Sequence, residues 1–232
     1  MRNKLLIEAV GTFFLCLAAI VATNPLSVAA LLCALIYMGA PVSLAHYNPA
    51  VSFAFRLRGR STSRALWSYV GIQLVAALLA SMVAGFLLGH DSEHAKGAID
   101  ALSESAFAGF GATAAVELLG TFALAFVILM VGTSRLTAGN SYFGLAIAAV
   151  VLGVSGTFSD FNPTMNPAVS LASSLLGAFS AIFDGLIGTK TFVTESLFLA
   201  KIVPRILAEI AVQLAGAAAA AWLFRQLFPE DR

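Results

Sequence analysis

Charge is what this chain has least of. Only 11% of its 232 residues are charged, against roughly 25% in an ordinary soluble domain. Too few charges remain to clothe a water-facing surface, so lipid must cover much of it. The net charge of +1 leaves no electrostatic footprint for a nucleic-acid partner. Cysteine is nearly absent too. Cys16 and Cys33 both lie inside apolar stretches and read as buried small hydrophobes, which excludes a disulfide scaffold. No Ser/His/Asp set, paired metal-ligand motif or Gly-rich phosphate loop lies on the apolar stretches. An intramembrane enzyme is therefore the least favoured reading, and neither cofactor nor metal is expected. His90 and His94, in a polar connection, read as solvated residues.

What the chain has in quantity is apolar sequence, 59% of residues with a mean hydropathy of +0.92. Crossing a bilayer core takes roughly 20 helical residues. Six stretches qualify, at about 5–23, 26–45, 66–89, 112–133, 142–159 and 203–228. Met1-Arg2-Asn3-Lys4 before the first stretch imitates a secretory signal, but Glu8 interrupts the run and more spans follow, so a retained helix is expected. Two further apolar pieces, 48–57 and 166–179, are too short to cross. Each opens with Asn-Pro, which reads as an N-cap followed by proline at the first helical position. Each is expected to reach about half-way through the membrane.

The basic residues give an orientation. Arg2, Lys4, Arg56, Arg58, Arg60, Arg64, Arg135, Arg225 and Arg232 share one side, nine of the 13. Lys96, Lys190, Lys201 and Arg205 fall on the other. The excess of positive charge predicts cytoplasmic N- and C-termini and an external loop over 89–111.

The two halves repeat. Glu8-Ala9-Val10-Gly11-Thr12-Phe13 returns 109 positions on as Glu117-Leu118-Leu119-Gly120-Thr121-Phe122. Asn48-Pro49-Ala50-Val51-Ser52 returns 118 positions on as Asn166-Pro167-Ala168-Val169-Ser170. Three spans per half is an odd number, so the second copy enters upside-down. The expectation is one channel domain over 1–232, with inverted repeats at about 1–90 and 110–232. Inversion brings the two half-helix N-termini together at mid-membrane, where irregular backbone is tolerated only if buried in protein or lining a wet cavity. Each N-terminus carries about half a positive charge. If each asparagine caps its own helix through its oxygen, its NH2 is left to donate to a passing molecule. Paired positive helix ends repel cations and hydronium and favour neutral solutes.

On these motifs the sequence resembles the aquaporin, or major intrinsic protein, family over its whole length. Ala45-His46-Tyr47-Asn48-Pro49-Ala50-Val51 is similar to the first family signature and Met165-Asn166-Pro167-Ala168 to the second. The resemblance implies an all-α membrane protein of six transmembrane helices plus two re-entrant half-helices in an inverted repeat. It also implies a homotetramer with one pore per subunit and no cofactor. Glu8 and Glu117 match acidic family residues that tie down the re-entrant loops, the alternative being proton carriers. His46 reads as a loop-holding residue, the alternative being a solute ligand. Gln73 and Gln213 are expected to bond between helices.

The pattern departs from the family in three places. Val169 and Ser170 stand where the common pattern has Arg and, in glycerol-type members, Asp. The other constriction positions fall near Val28 and Val151, so the selectivity constriction is expected to be apolar, without a bidentate donor. Upstream, Asn162-Pro163-Thr164 offers an alternative pore asparagine, Asn162, with Met165 then at the constriction; the matching pentapeptides favour Asn166. Third, Asn48 to Gln73 is 25 positions but Asn166 to Gln213 is 47. The extra segment within 173–205 is read as a mouth cap or an interfacial piece. Lys201 and Arg205 read as ordinary charges at a helix start, the alternative being that one of them stands in for the missing arginine. The expected function is a passive channel for water and small neutral solutes (glycerol, urea, ammonia or peroxide) in the cell inner membrane. The alternatives are a proton-coupled secondary transporter and a nonconducting structural tetramer.

Overall fold

A computed structural model describes residues 1–88, 109–186 and 203–231. The connections 89–108 and 187–202 lie outside it, and with them His90, His94, Lys96, Lys190 and Lys201.

Eight α-helices occur among the described residues: α1 (Arg2–Val21), α2 (Pro25–Ser43), α3 (Pro49–Leu57), α4 (Ser63–Leu88), α5 (Phe110–Thr133), α6 (Phe143–Thr157), α7 (Pro167–Leu186) and α8 (Val203–Leu227). Five of them, α1, α2, α4, α5 and α8, are long and apolar enough to cross a membrane. The sixth expected span, α6, has 15 residues. That is about 22 Å of rise, and a 3-10 turn at Ser159–Phe161 continues the path.

Asn-Pro starts three helices. Asn24 accepts from the Ser27 amide at 3.0 Å before α2, Asn48 from the Ala50 and Val51 amides at 2.8 and 3.3 Å before α3, and Asn166 from the Ala168 amide at 3.0 Å before α7. Proline fixes the first helical φ, and the asparagine oxygen satisfies amides that have no partner within the helix.

α3 has nine residues, as a half-helix should, but α7 has 20. The expectation that both pieces stop half-way is corrected for α7, whose length corresponds to about 30 Å of rise. Beyond the expected end at 179, Ala181, Ile182 and Phe183 are still apolar and carry no helix-stop signal, and the helix runs on with them to Leu186. Part of the extra sequence after Ser173 is thus helix.

In lipid, helices associate through close packing of small residues rather than by escape from water. α1 packs on α4, and α5 on α8. α4 buries Ala76, Ala77, Ala80, Ser81, Ala84 and Gly85, and α8 buries Gly216, Ala217, Ala220 and Ala221. At Gly216 an added Cβ would lie 2.5 Å from the Leu118 carbonyl oxygen on α5. Trp67, Phe86 and Trp222 face outward, each more than 60% exposed, as a lipid-covered surface allows.

Candidate functional site

α3 and α7 meet at their N-termini. Asn48 Nδ2 donates to the Met165 carbonyl at 2.8 Å and Asn166 Nδ2 to the Tyr47 carbonyl at 3.0 Å. Each asparagine therefore spends its oxygen on its own half-helix and one N–H on the opposite loop. One N–H per residue remains, fewer than a wholly free NH2 would offer. Tyr47 and Met165 turn their carbonyls to these donors through positive φ of 48° and 54°. Neither residue is a glycine, so the left-handed conformation is strained and must be held by its surroundings.

Two carboxylates hold it. Glu8 accepts from Ser43 Oγ (2.7 Å), the His46 amide (2.9 Å), the Tyr47 amide (2.8 Å) and Gln73 Nε2 (2.9 Å). Glu117 accepts from the Thr164 amide and hydroxyl (2.7 and 3.0 Å), the Met165 amide (2.9 Å) and Gln213 Nε2 (3.0 Å). Gln73 also donates to Ser52 Oγ at 3.2 Å and Gln213 to Ser170 Oγ at 2.8 Å. The same network is thus built twice from repeat-related residues.

The copies differ at the second residue before each asparagine. His46 Nδ1 lies 3.0 Å from Ser52 Oγ while the ring packs on Phe55 and Tyr69, and its Nε2 has no hydrogen-bond partner among the described residues. Thr164 instead closes its circuit with Ser170 at 2.6 Å. Large side chains are locked beside them. Tyr47 is fully buried, and a Cβ at Gly11 would lie 2.0 Å from its ring. Met165 packs on Gly120.

A cavity of about 660 Å3 passes both asparagines. At the α3 mouth it is lined by residues 133–135 and 137–140, and at the α7 mouth by Thr23, Asn24, Ser155, Ser159 and Asn162. Val28, Val151 and Val169 line it between Asn166 and the α7 mouth. Its side walls are Leu15, Leu32, Ile36, Leu124 and Ile128. Asn162 is exposed in a left-handed turn (φ 44°), whereas Asn166 is buried at the helix junction. Pro49, Ala50, Pro167 and Ala168 are buried around that junction. Arg205 does not line the cavity. It pairs with Glu209 at 2.7 Å and lies over the Phe110 ring. Among the described residues no cluster of His, Cys, Asp or Glu suits a metal ion.

At the α3 mouth Arg58 caps the half-helix, stacks 4.5 Å from the Phe224 ring and bonds Asp231. The Asp231 carboxylate accepts from the Arg135 amide at 3.0 and 3.1 Å. A hydrogen bond from the Ser134 side chain, helped by the Arg135 amide and the Arg58 and Arg135 guanidinium groups, holds this carboxyl below its ordinary range.

The profile of the Major intrinsic protein family matches residues 2–188. The chain belongs to that family. Major intrinsic proteins are channels and not enzymes. Among relatives, aquaporin NIP1-1 of Zea mays is 34% identical over 158 residues, 66% of this chain and 53% of that protein. Aquaporin NIP1-1 of Arabidopsis thaliana is 31% identical over 202 residues, 80% of this chain and 68% of that protein. The chain spans about half the length of the maize protein and of its Oryza sativa counterpart, 53% and 52%. The aquaglyceroporin of Plasmodium falciparum shares the fold at a TM-score of 0.69 with 19% identity, over 99% of this chain and 98% of that one.

From the sequence, Tyr47, Ser43, Ser52 and Thr164 had no site role, Met165 entered only as an alternative constriction residue and Ser170 only in the place of a family Asp. The repeat carried a signal for most of them, because Tyr47 pairs with Met165, Ser52 with Ser170 and His46 with Thr164 at the offset of 118 positions.

Proposed function

We propose that this major intrinsic protein is a passive pore for water and small uncharged solutes such as glycerol, urea, ammonia or peroxide. The observation that carries the reading is the asparagine pair. Each caps its own half-helix, and each keeps one N–H for an acceptor in a shared lumen. A molecule there is held by donors from both sides at the positive ends of two helices, which disfavours cations and proton relay. The aquaporin relatives and the aquaglyceroporin neighbour support the same reading.

Val28, Val151 and Val169 act as the constriction on this reading, and Glu8, Glu117 and His46 as loop supports. Each carboxylate is engaged by four donors, which weighs against a proton carrier. The chain works as one channel domain of two inverted repeats, assembled as a homotetramer in the cell inner membrane with both termini in the cytoplasm.

Stopped-flow light scattering on proteoliposomes tests the proposal. Water flux and glycerol or urea re-swelling should exceed those of empty liposomes, and Val169→Arg should lower solute re-swelling more than water flux. Rates no faster than empty liposomes would overturn the pore.

A further inference from the structure

Each of the three valines has a polar neighbour one helical turn nearer the α7 mouth. α7 leads away from Asn166, so Ser173 lies four residues beyond Val169. On α6, Ser155 lies four residues beyond Val151. On α2, which begins at this mouth, Asn24 lies four residues before Val28. All six line the same cavity. Four residues of helix rise about 6 Å, so the register stacks two tiers along the path: three valines, then two hydroxyls and an amide.

The hydroxyls of the outer tier are available. A serine inside a helix commonly bonds the carbonyl one turn back. Ser68 does so to Arg64 at 2.8 Å, and Thr133 to Leu129 at 2.6 Å. The Ser155 and Ser173 hydroxyls have no partner among the described residues. Asn24 uses its oxygen on Ser27 and leaves its NH2 unpaired. The tier therefore offers both donors and acceptors and carries no charge.

We propose that Asn24, Ser155 and Ser173 form an entry site for small uncharged solutes that carry both donor and acceptor groups, of the polyol or urea class. This rests on the pore reading and deepens it. A solute meeting the valine tier must give up hydrogen bonds to bulk water, and the valines return none. The polar tier replaces those bonds one turn earlier, so hydration is exchanged before the neck. Water is small enough to keep a neighbouring water on either side in the file, so it depends on the tier less than a polyol does.

The test compares wild type, Ser155→Ala, Ser173→Ala, the double variant and Ser155→Thr/Ser173→Thr in proteoliposomes. Each lost hydrogen bond is worth about 1 kcal/mol. Glycerol and urea permeability should therefore fall about fivefold in each alanine variant and further in the double. Water permeability should stay within about twofold, and threonine should restore solute flux. An unchanged solute-to-water ratio, or equal losses of both, overturns the entry site while leaving the pore intact. A readout that needs no flux keeps the two claims separate. In a chain with Cys16→Ala and Cys33→Ala, Ser155→Cys and Ser173→Cys should react with a small neutral thiol reagent, and molar glycerol should slow that reaction. Labelling that glycerol leaves unchanged, or no labelling at either position, overturns the site whether or not the protein conducts.

Discussion

Glu8 illustrates how one atom type decides a whole site. Its two oxygens accept four hydrogen bonds, and an ionised carboxylate is the side chain that can do this without offering a competing donor. In Glu8→Gln one oxygen becomes an NH2 facing donors, which strands the Tyr47 amide or its counterpart. The expected cost is about 1.5–3 kcal/mol, read as a lower Tm in detergent. Water flux should fall with it, because the Tyr47 carbonyl holds Asn166. An imposed pH gradient should drive no solute in either protein; gradient-driven accumulation by the wild type would establish the transporter alternative. Much of this was open to the sequence reader. Glu8, Glu117 and the asparagines stand out because a polar residue in an apolar run must have a purpose. Tyr47 and Met165 do not stand out, because they contribute backbone carbonyls, and a carbonyl has no letter in the sequence.

Between elements, a glycine is worth most where two backbones touch. Gly216 sits where α8 crosses α5, and its missing Cβ makes room for the Leu118 carbonyl oxygen and the Phe122 amide nitrogen. Backbone cannot step aside as a side chain tip can. Gly216→Ala should therefore cost about 1–3 kcal/mol by overpacking, whereas Gly71→Ala, with nothing within 4 Å, should leave Tm unchanged or raised. Equal effects in a thermal-unfolding assay would contradict this account of the crossing. Helix starts were legible because Asn-Pro combines a cap with a fixed φ. The end of α7 was not, since the sequence just past residue 179 carries no proline or cap to mark a stop and the helix continues to Leu186. The short α6 was hidden for the opposite reason. The apolar run 142–159 outlasts the helix, because the chain tightens into a 3-10 turn at Ser159.

Across the whole molecule, Asp231 links sequence extremes, joining the end of α8 to the half-helix cap Arg58 and the mouth segment at Arg135. Its folded carboxyl titrates below the ordinary value of 3.8. A depressed folded pKa stabilises the protein above the unfolded value, and that stability is lost as pH falls through the folded one. Asp231→Asn should therefore lower Tm near neutral pH, and the gap to wild type should close as the pH falls through the depressed folded pKa. A gap independent of pH would assign the effect to the side-chain amide rather than to charge. The bonds that join Asn48 to Met165 and Asn166 to Tyr47 span 117 and 119 positions. A ribosome must therefore make most of the chain before either can close. The first loop enters the bilayer with its half of the clasp open, and neither gene half, expressed alone, encodes a finished lumen.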